Sequence, residues 1–541
     1  MSDGALRALT FRALTHARGW RRWLAAFAAG AAGALAQAPT YLFPLLFLSF
    51  AGFVLLLDGA AEAARPRRAA FAVGWWFGLG YFLLGLYWMA FSFFVQADDF
   101  AWMAPFAMLG MPSFLALFYG GAAALAIGWW RAGPSRVALF AGVFMAFEYA
   151  RGHVLTGLPW NLPGQAFAVS GALSQAAAWV GAYGLSLAAV LTACAPALFT
   201  TRERDAGRTM LRGLGLGLVG VLALFAVGHA RLALARPASS AADERPAFVR
   251  IVQPNVPQRE KIDPTLWRRN VQRTIDLSAG PMEGAPANAR LFVVWPENAA
   301  ALLDEAPEAI ASIDAALPPR ATLIAGAVRR ERVAGRERPR YFNAVLLLAP
   351  GADGRQVVGA YDKHHLVPFG EYLPLSGFLR AVGLAQLAPF EEGFSKGPGP
   401  RVLELEGSRF APLVCYEAIF PNELHPATDR PDWLVTVTND AWFGDTSGPR
   451  QHLDQARLRS IETGLPMARA ANTGVSALID AKGRYLARLK LYEPGVIDFP
   501  LPPPLGPTLY ARLGDGPFFV LLALTLAVGF GAHRWRPPKR G

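Results

Sequence analysis

Three residues, far apart in a chain of 541, are of types that can do chemistry together. Cys415 ends the apolar run Ala411-Pro412-Leu413-Val414 and is followed by Tyr416-Glu417. Glu297 follows Val293-Val294-Trp295-Pro296. Lys363 stands in Tyr361-Asp362-Lys363-His364-His365. Layered α/β folds place reactive groups at the ends of strands, and Glu297 and Cys415 are expected there, with Lys363 in a loop. A free thiol has a pKa of about 8.5, so at neutral pH it is mostly protonated and weakly nucleophilic. A carboxylate beside it can take the proton, and burial raises the carboxylate's affinity for it. A lysine, with a backbone N–H near the thiol, can stabilise the oxyanion formed by attack on a carbonyl. Each residue alone has an ordinary reading, a small buried hydrophobe for the cysteine and a surface charge for the others. Cys194, in an apolar helical run, keeps that ordinary reading. With only two cysteines, neither a disulfide framework nor a cysteine-rich zinc site is expected.

The elements that would position these residues lie between about 246 and 500, where charges return and apolar runs shorten. Residues 248–252, 291–295, 321–325, 344–348, 410–415 and 433–437 read as buried strands. A helix is expected from Asp263-Pro264-Thr265 onward, with Asp263 as cap and Pro264 at the first position. Another is expected over 451–463. Strands alternating with helices predict an α/β layered domain.

The rest of the chain reads differently. Hydrophobic residues make up 53% and charged residues 17%, against about 25% charged in soluble domains. Mean hydropathy is +0.27. Apolar runs cover 23–38, 41–57, 71–94, 102–130, 137–149, 176–199 and 213–230, and a last one covers 518–532. Arg7, Arg12, Arg18, Arg21 and Arg22 precede the first run. Arg65, Arg67 and Arg68 follow the second, and Arg131 and Arg136 the fourth. Arg202, Arg204, Arg208 and Arg212 follow the sixth, and Arg534, Arg536, Lys539 and Arg540 the last. The alternate loops are nearly free of Lys and Arg. The positive-inside rule then puts both termini in the cytoplasm and the segment after Ala230 on the opposite side. The expected domains are 1–232, a bundle of seven helices; 233–510, an extracytoplasmic domain; and 511–541, a final helix with a basic tail. The N-terminal stretch reads as a retained segment, not a cleavable signal. The formal charge of +12 sits beside apolar runs, which favours anionic lipid over nucleic acid.

Glu297, Lys363 and Cys415 in that order resemble the nitrilase superfamily. Longer motifs resemble one of its branches, the apolipoprotein N-acyltransferase family: Leu366-Val367-Pro368-Phe369-Gly370-Glu371-Tyr372, Cys415-Tyr416-Glu417, Thr438-Asn439-Asp440-Ala441-Trp442-Phe443-Gly444-Asp445 and Gly448-Pro449-Arg450-Gln451-His452. Arg469 and Asn472-Thr473-Gly474 fit its later segment. Glu148-Tyr149-Ala150-Arg151 and Thr156-Gly157-Leu158-Pro159-Trp160 fit its membrane part. Two departures are visible. Ile262 follows Lys261 where relatives can carry Trp, and Arg450 stands where some relatives have Trp.

The resemblance implies a nitrilase-like αββα sandwich inserted in a polytopic bundle of about eight transmembrane helices. It implies a bacterial inner-membrane enzyme with its catalytic domain in the periplasm. The enzyme would move a fatty acyl group from a phospholipid to the α-amino group of a diacylglyceryl-modified N-terminal cysteine, through a thioester on Cys415. No cofactor or metal is expected, since adjacent His364 and His365 on an extended segment would point opposite ways. Glu371, Glu417 and Asn343 are expected to support the triad, and Tyr416 to line the site. Phe378, Leu379, Leu387 and Phe390, in the apolar stretch 375–394, are expected with Trp442 to form a lid or lipid-binding surface. A monomer on a membrane base is expected. The rival readings are a membrane-tethered nitrilase-type amidase and a transporter or receptor with a domain that only binds. The apolar stretch favours a lipid substrate, and the triad argues against binding alone.

Overall fold

The computed structural model describes residues 13–200, 206–237, 245–335, 337–374, 393–424 and 429–531. The chain divides into two units. One takes in Met1–Ala235, Thr446–Asp454 and Arg512–Gly541, the other Arg236–Asp445 and Gln455–Ala511.

Among the described residues of the second unit twelve strands run in chain order. They are β1 (Ala247–Gln253), β2 (Arg290–Ala301), β3 (Ala321–Glu331), β4 (Arg340–Gly351), β5 (Gly354–Asp362), β6 (Leu403–Leu405), β7 (Ser408–Val414), β8 (Trp433–Thr438), β9 (Met467–Ala471), β10 (Ala477–Ile479), β11 (Tyr485–Arg488) and β12 (Gly495–Pro500). They make two six-stranded sheets, ordered β12-β1-β2-β3-β4-β5 and β11-β10-β9-β8-β7-β6. In each sheet three central strands run parallel, β1 to β3 and β7 to β9.

Period-two alternation decides what each face does. Phe292 and Val294 of β2, Ile324 of β3 and Val345 and Leu347 of β4 point to one side. There they pack with Phe410 and Val414 of β7, Trp433, Val435 and Val437 of β8, and Ala468 and Ala470 of β9. Leu291, Val293, Trp295, Leu323, Ala325, Leu346 and Leu348 point to the other side. They pack with Val271, Ile275 and Ile313 from the helices Trp267–Ser278 and Pro307–Ala316. The six expected strands all form and most run longer than expected, but the one expected over 410–415 stops at Val414, leaving Cys415 just beyond it. Asp263 caps as expected, accepting a hydrogen bond from the Thr265 N–H, but a short 3-10 turn, Pro264–Leu266, precedes the α-helix.

The first unit is helical. Among the described residues four helices are long and apolar enough to cross a membrane: Pro44–Ala61, Ala97–Trp129, Leu173–Ala197 and Ala206–Leu234. A fifth span results if Pro66–Gly85 and Tyr87–Phe94, bent by 48°, count as one. Helices also cover Trp20–Ala34, Ser135–Arg151 and Gly516–Gly531, of 15, 17 and 16 residues. Packing is close where side chains are missing. A β-carbon on Gly30 would stand 1.9 Å from the Phe77 carbonyl oxygen, and one on Gly80 would stand 2.1 Å from that of Phe27. Trp20–Ala34 and Pro66–Gly85 therefore touch backbone to backbone, as membrane helices do through small residues. Within this unit Trp88 and Trp160 both donate their indole N–H to Gln451 Oε1, at 3.2 and 2.8 Å. Gln451 in turn donates to the Ala38 carbonyl at 3.1 Å. Two motifs distant in sequence, around Trp160 and Gln451, are thus one structural feature.

Candidate active site

Glu297 does not follow the end of its strand, as the sequence suggested. β2 runs on to Ala301, with a break in register against β3 between Trp295 and Ala300. Pro296 has no N–H for the ladder, and Asn298 takes a left-handed φ of 49°, so the chain bulges here. Bulges commonly re-aim a side chain, and Glu297 is buried at this one. Gly326 of β3 faces it, and leaves no room for a side chain.

Cys415 follows β7 directly, with φ of 50°, and opens the 3-10 turn Cys415–Ile419. Left-handed backbone at a residue other than glycine is held only when its surroundings over-determine it. Glu417 does this. Its fully buried carboxylate accepts from the Val414 N–H at 2.8 Å, the His364 N–H at 2.8 Å and the Tyr361 hydroxyl at 3.0 Å. It ties the sharp turn to the segment after β5. His364 and His365 do not point opposite ways: the chain bends at His365, and both rings reach Glu423. His364 Nε2 lies 3.1 Å from Glu423 Oε2, and His365 Nδ1 pairs with the same carboxylate. Nδ1 of His364 faces Glu417 at 2.8 Å. Burial lowers the His364 pKa, but the two carboxylates outweigh it and raise it to about 9.

Lys363 is the first residue after β5. Its N–H donates to the Asn343 carbonyl, and its own carbonyl accepts from Gly397 N–H, both at 2.8 Å. The buried Nζ lies 2.9 Å from Glu371 Oε2 and 3.6 Å from Glu297 Oε1. Asn343 Nδ2 donates to Glu297 Oε1 and to Glu371 Oε1, each at 2.7 Å. Glu371 is fixed further by the Val367 N–H at 2.8 Å. Glu297, Asn343, Glu371 and Lys363 therefore form one buried network.

The electrostatics follow from that network. Burial opposes the charge on Lys363, but Glu371 and then Glu297 outweigh it and hold the amine protonated, above the usual lysine value. The Cys415 thiol is pushed well up, first by burial and then by Glu297, with Lys363 acting in the opposite direction. The resting nucleophile is a neutral thiol, so it needs a base. Its sulfur also lies within 4.8 Å of an Asp440 carboxylate oxygen. Asp440 is paired with Arg469 at 2.9 Å and accepts from the Thr438 hydroxyl at 3.0 Å.

The other expected residues are distributed as follows. The Tyr416 ring packs on His365 and Phe420, with centroids 5.5 and 5.0 Å away. Trp442 is half-buried in the turn Asp440–Phe443, which also carries Asp440. Phe378, Leu379, Leu387 and Phe390 lie outside the described residues. The sequence reading did not single out Lys261 as a site residue. Its Nζ donates to the Glu297 carbonyl at 2.6 Å. The signal for it was the polar stretch Gln253-Pro254-Asn255-Val256-Pro257-Gln258 just before it.

Comparison with known proteins agrees with this arrangement. Residues 29–195 match the family described as apolipoprotein N-acyltransferase N-terminal domain, and residues 249–504 match carbon-nitrogen hydrolase. The apolipoprotein N-acyltransferase of Brucella melitensis is 42% identical over 516 residues, covering 94% of each chain. That of Rhodopseudomonas palustris is 41% identical over 532 residues, covering 96% of each. That of Caulobacter vibrioides is 42% identical over 517 residues, covering 94% of each. With likeness at this level along nearly its whole length, the chain belongs to the apolipoprotein N-acyltransferase family, a membrane-bound acyltransferase built on a carbon-nitrogen hydrolase domain.

Proposed function

We propose that the protein transfers a fatty acyl group from a membrane phospholipid to the α-amino group of a diacylglyceryl-modified N-terminal cysteine of apolipoproteins. The observation that carries this reading is the buried Glu297–Asn343–Glu371–Lys363 network, electrostatically coupled to a neutral Cys415 thiol at a sharp turn. In the first half-reaction Glu297 takes the thiol proton as Cys415 Sγ attacks the ester carbonyl. Lys363 and a backbone N–H near Cys415 stabilise the oxyanion. The ester C–O bond breaks, Glu297 protonates the departing lysophospholipid oxygen, and a thioester remains. In the second half the acceptor amine attacks the thioester. Glu297 takes the amine's proton and returns it to sulfur as the C–S bond breaks.

The same reading assigns the chain about eight membrane crossings, with 1–232 and 511–541 as the membrane domain. The shorter helices Trp20–Ala34, Ser135–Arg151 and Gly516–Gly531 complete that number. The domain 233–510 is then periplasmic, on an inner-membrane base with both termini in the cytoplasm, and the protein works as a monomer. Phe378, Leu379, Leu387, Phe390 and Trp442 are assigned to the acyl chains by their apolar character. Polar substitutions at Phe378 and Leu387 should lower turnover on bilayer substrate.

Intact-protein mass spectrometry after incubation with phospholipid alone tests the central step. The parent should gain a fatty-acyl mass that hydroxylamine removes, and Cys415→Ala should not. Release of free acid with no adduct would instead favour a membrane-tethered amidase, and no reaction would overturn the acyl-transfer reading.

A further inference from the structure

The site contains a second lysine, and the fold goes to some length to place it. The stretch after β1 is held by Asn472. Asn472 Nδ2 donates to the Val256 carbonyl at 2.8 Å, its Oδ1 accepts from the Val256 N–H at 3.0 Å, and its carbonyl accepts from the Asn255 N–H at 3.0 Å. Asn472 Nδ2 also donates to Asn439 Oδ1 at 3.0 Å, and Asn439 Nδ2 donates to Gln258 Oε1 at 2.7 Å. All three amides are buried. A buried polar network whose members are paired specifies one geometry. Gln258 opens the turn Gln258–Lys261, and Asn270 Nδ2 fastens that turn by donating to the Glu260 carbonyl at 2.9 Å. The chain of contacts ends at Lys261, whose Nζ reaches the Glu297 carbonyl at the bulge.

Charge balance gives this placement a purpose. Glu297 and Glu371 bring two negative charges into the interior and Lys363 brings one positive charge. Asp440 is already paired with Arg469. Without Lys261 the set would hold one uncompensated negative charge, which a buried carboxylate relieves by taking up a proton. A protonated Glu297 cannot act as a base.

We infer that Lys261 is a positioning residue for Glu297: it fixes the Glu297 carbonyl at the bulge and sets a compensating cation beside the two carboxylates, so that the base is held ready beside the thiol. This rests on reading Glu297 as the base for Cys415. Glu297 and Cys415 are the ionisable groups whose charges act on Lys261 most. On its own turn Glu260 is taken up by Arg269 at 2.5 Å, and Arg259 is the remaining charge. Burial pushes the Lys261 amine down to about 8, against the pull of Glu297 and Cys415, so it is a cation at neutral pH.

Alkylation of Cys415 by iodoacetamide, read by peptide mass on the full-length protein in detergent across about pH 5 to 9, tests this without any lipid. The acid limb of the parent reports the group that takes the thiol proton. In Lys261→Met that limb should move up by about one pH unit, so the loss of rate is about tenfold larger at the acid end than at the alkaline end. Lys261→Arg should keep the limb in place. An evenly lowered rate with an unmoved limb is what a merely structural role gives, and it would overturn the inference. If Lys261→Met does not fold, Lys261→Gln keeps a donor and drops the charge. The same upward shift is then expected, and an unmoved limb has the same adverse meaning. Glu297→Gln separates the two layers of the argument. It should abolish the acid limb; a surviving limb would sink the base assignment, and the inference with it.

Discussion

A β-carbon on Gly326 would stand 2.6 Å from the α-carbon of Glu297 and 2.3 Å from the Pro296 carbonyl oxygen. Both are backbone atoms, so no rotamer change relieves the clash. The bulge that aims Glu297 therefore depends on a glycine in the neighbouring strand.

Gly326→Ala should push the bulge away from Cys415. Overpacking of this kind costs about 1–3 kcal/mol of stability. A displacement of about 1 Å at the base can cost on the order of 100-fold in rate. Thioester formation by mass spectrometry, beside a thermal melt, checks both. A parent-like rate would show that Gly326 does not control the base.

Lys363 faces two carboxylates that share one amide, that of Asn343. Lys363→Met leaves those carboxylates without the cation between them, so one of them should take up a proton. Loss of an oxyanion donor alone costs about 10²–10³-fold. The expected result is at least that loss in thioester formation, with residual activity that rises as pH rises. A flat pH profile would place the role of Lys363 in the oxyanion alone.

Much of this site was legible in the sequence, and the reasons for the rest are physical. Cys415 could be placed at a strand end because a run of apolar residues stops there, and the parallel strands β7 to β9 made that end a site. Glu371 and Asn343 came from motif likeness, and the structure brings both into contact with Lys363. Glu297 was put after its strand because the apolar run ends at Trp295. Pairing with β3 resumes at Ala300, and a local pattern does not carry such non-local register. β5 was not expected, since its Gly354-Arg355-Gln356-Val357-Val358-Gly359 alternates poorly and it lies at the edge of its sheet. The short edge strands β6 and β11 have the same cause. Lys261 was passed over because its significance depends on Asn439 and Asn472, distant residues that place it.

His364 links stability to pH. Its pKa is raised to about 9 by Glu417 and Glu423 against the effect of burial, from an unfolded value of about 6.5. A raised pKa stabilises the folded state fully below the unfolded value, and the effect is lost as pH rises through the folded value. Stability should therefore fall as pH rises between about 6.5 and 9. Melting temperatures across that window should decline in the parent and change less in His364→Gln. Parallel declines in the two proteins would remove His364 as the cause.

The pair Glu148 and Arg151 makes a different demand, because both side chains are fully buried among helices that read as membrane-spanning. Arg151 Nε and one terminal nitrogen donate to the two Glu148 oxygens at 2.6 and 2.9 Å. Arg151 also donates to the Leu158 carbonyl and lies over the Phe82 ring at 5.0 Å. Desolvating two charges offsets most of their attraction, so the pair adds little net stability, yet either charge alone would be stranded. Arg151→Met and Glu148→Gln should each destabilise the protein by about 3–5 kcal/mol, and the double variant by much less than their sum. Thermal unfolding of all four proteins in one detergent gives the cycle. Additive losses would mean that each side chain is held by its own remaining partners, with the ion pair itself contributing no coupling.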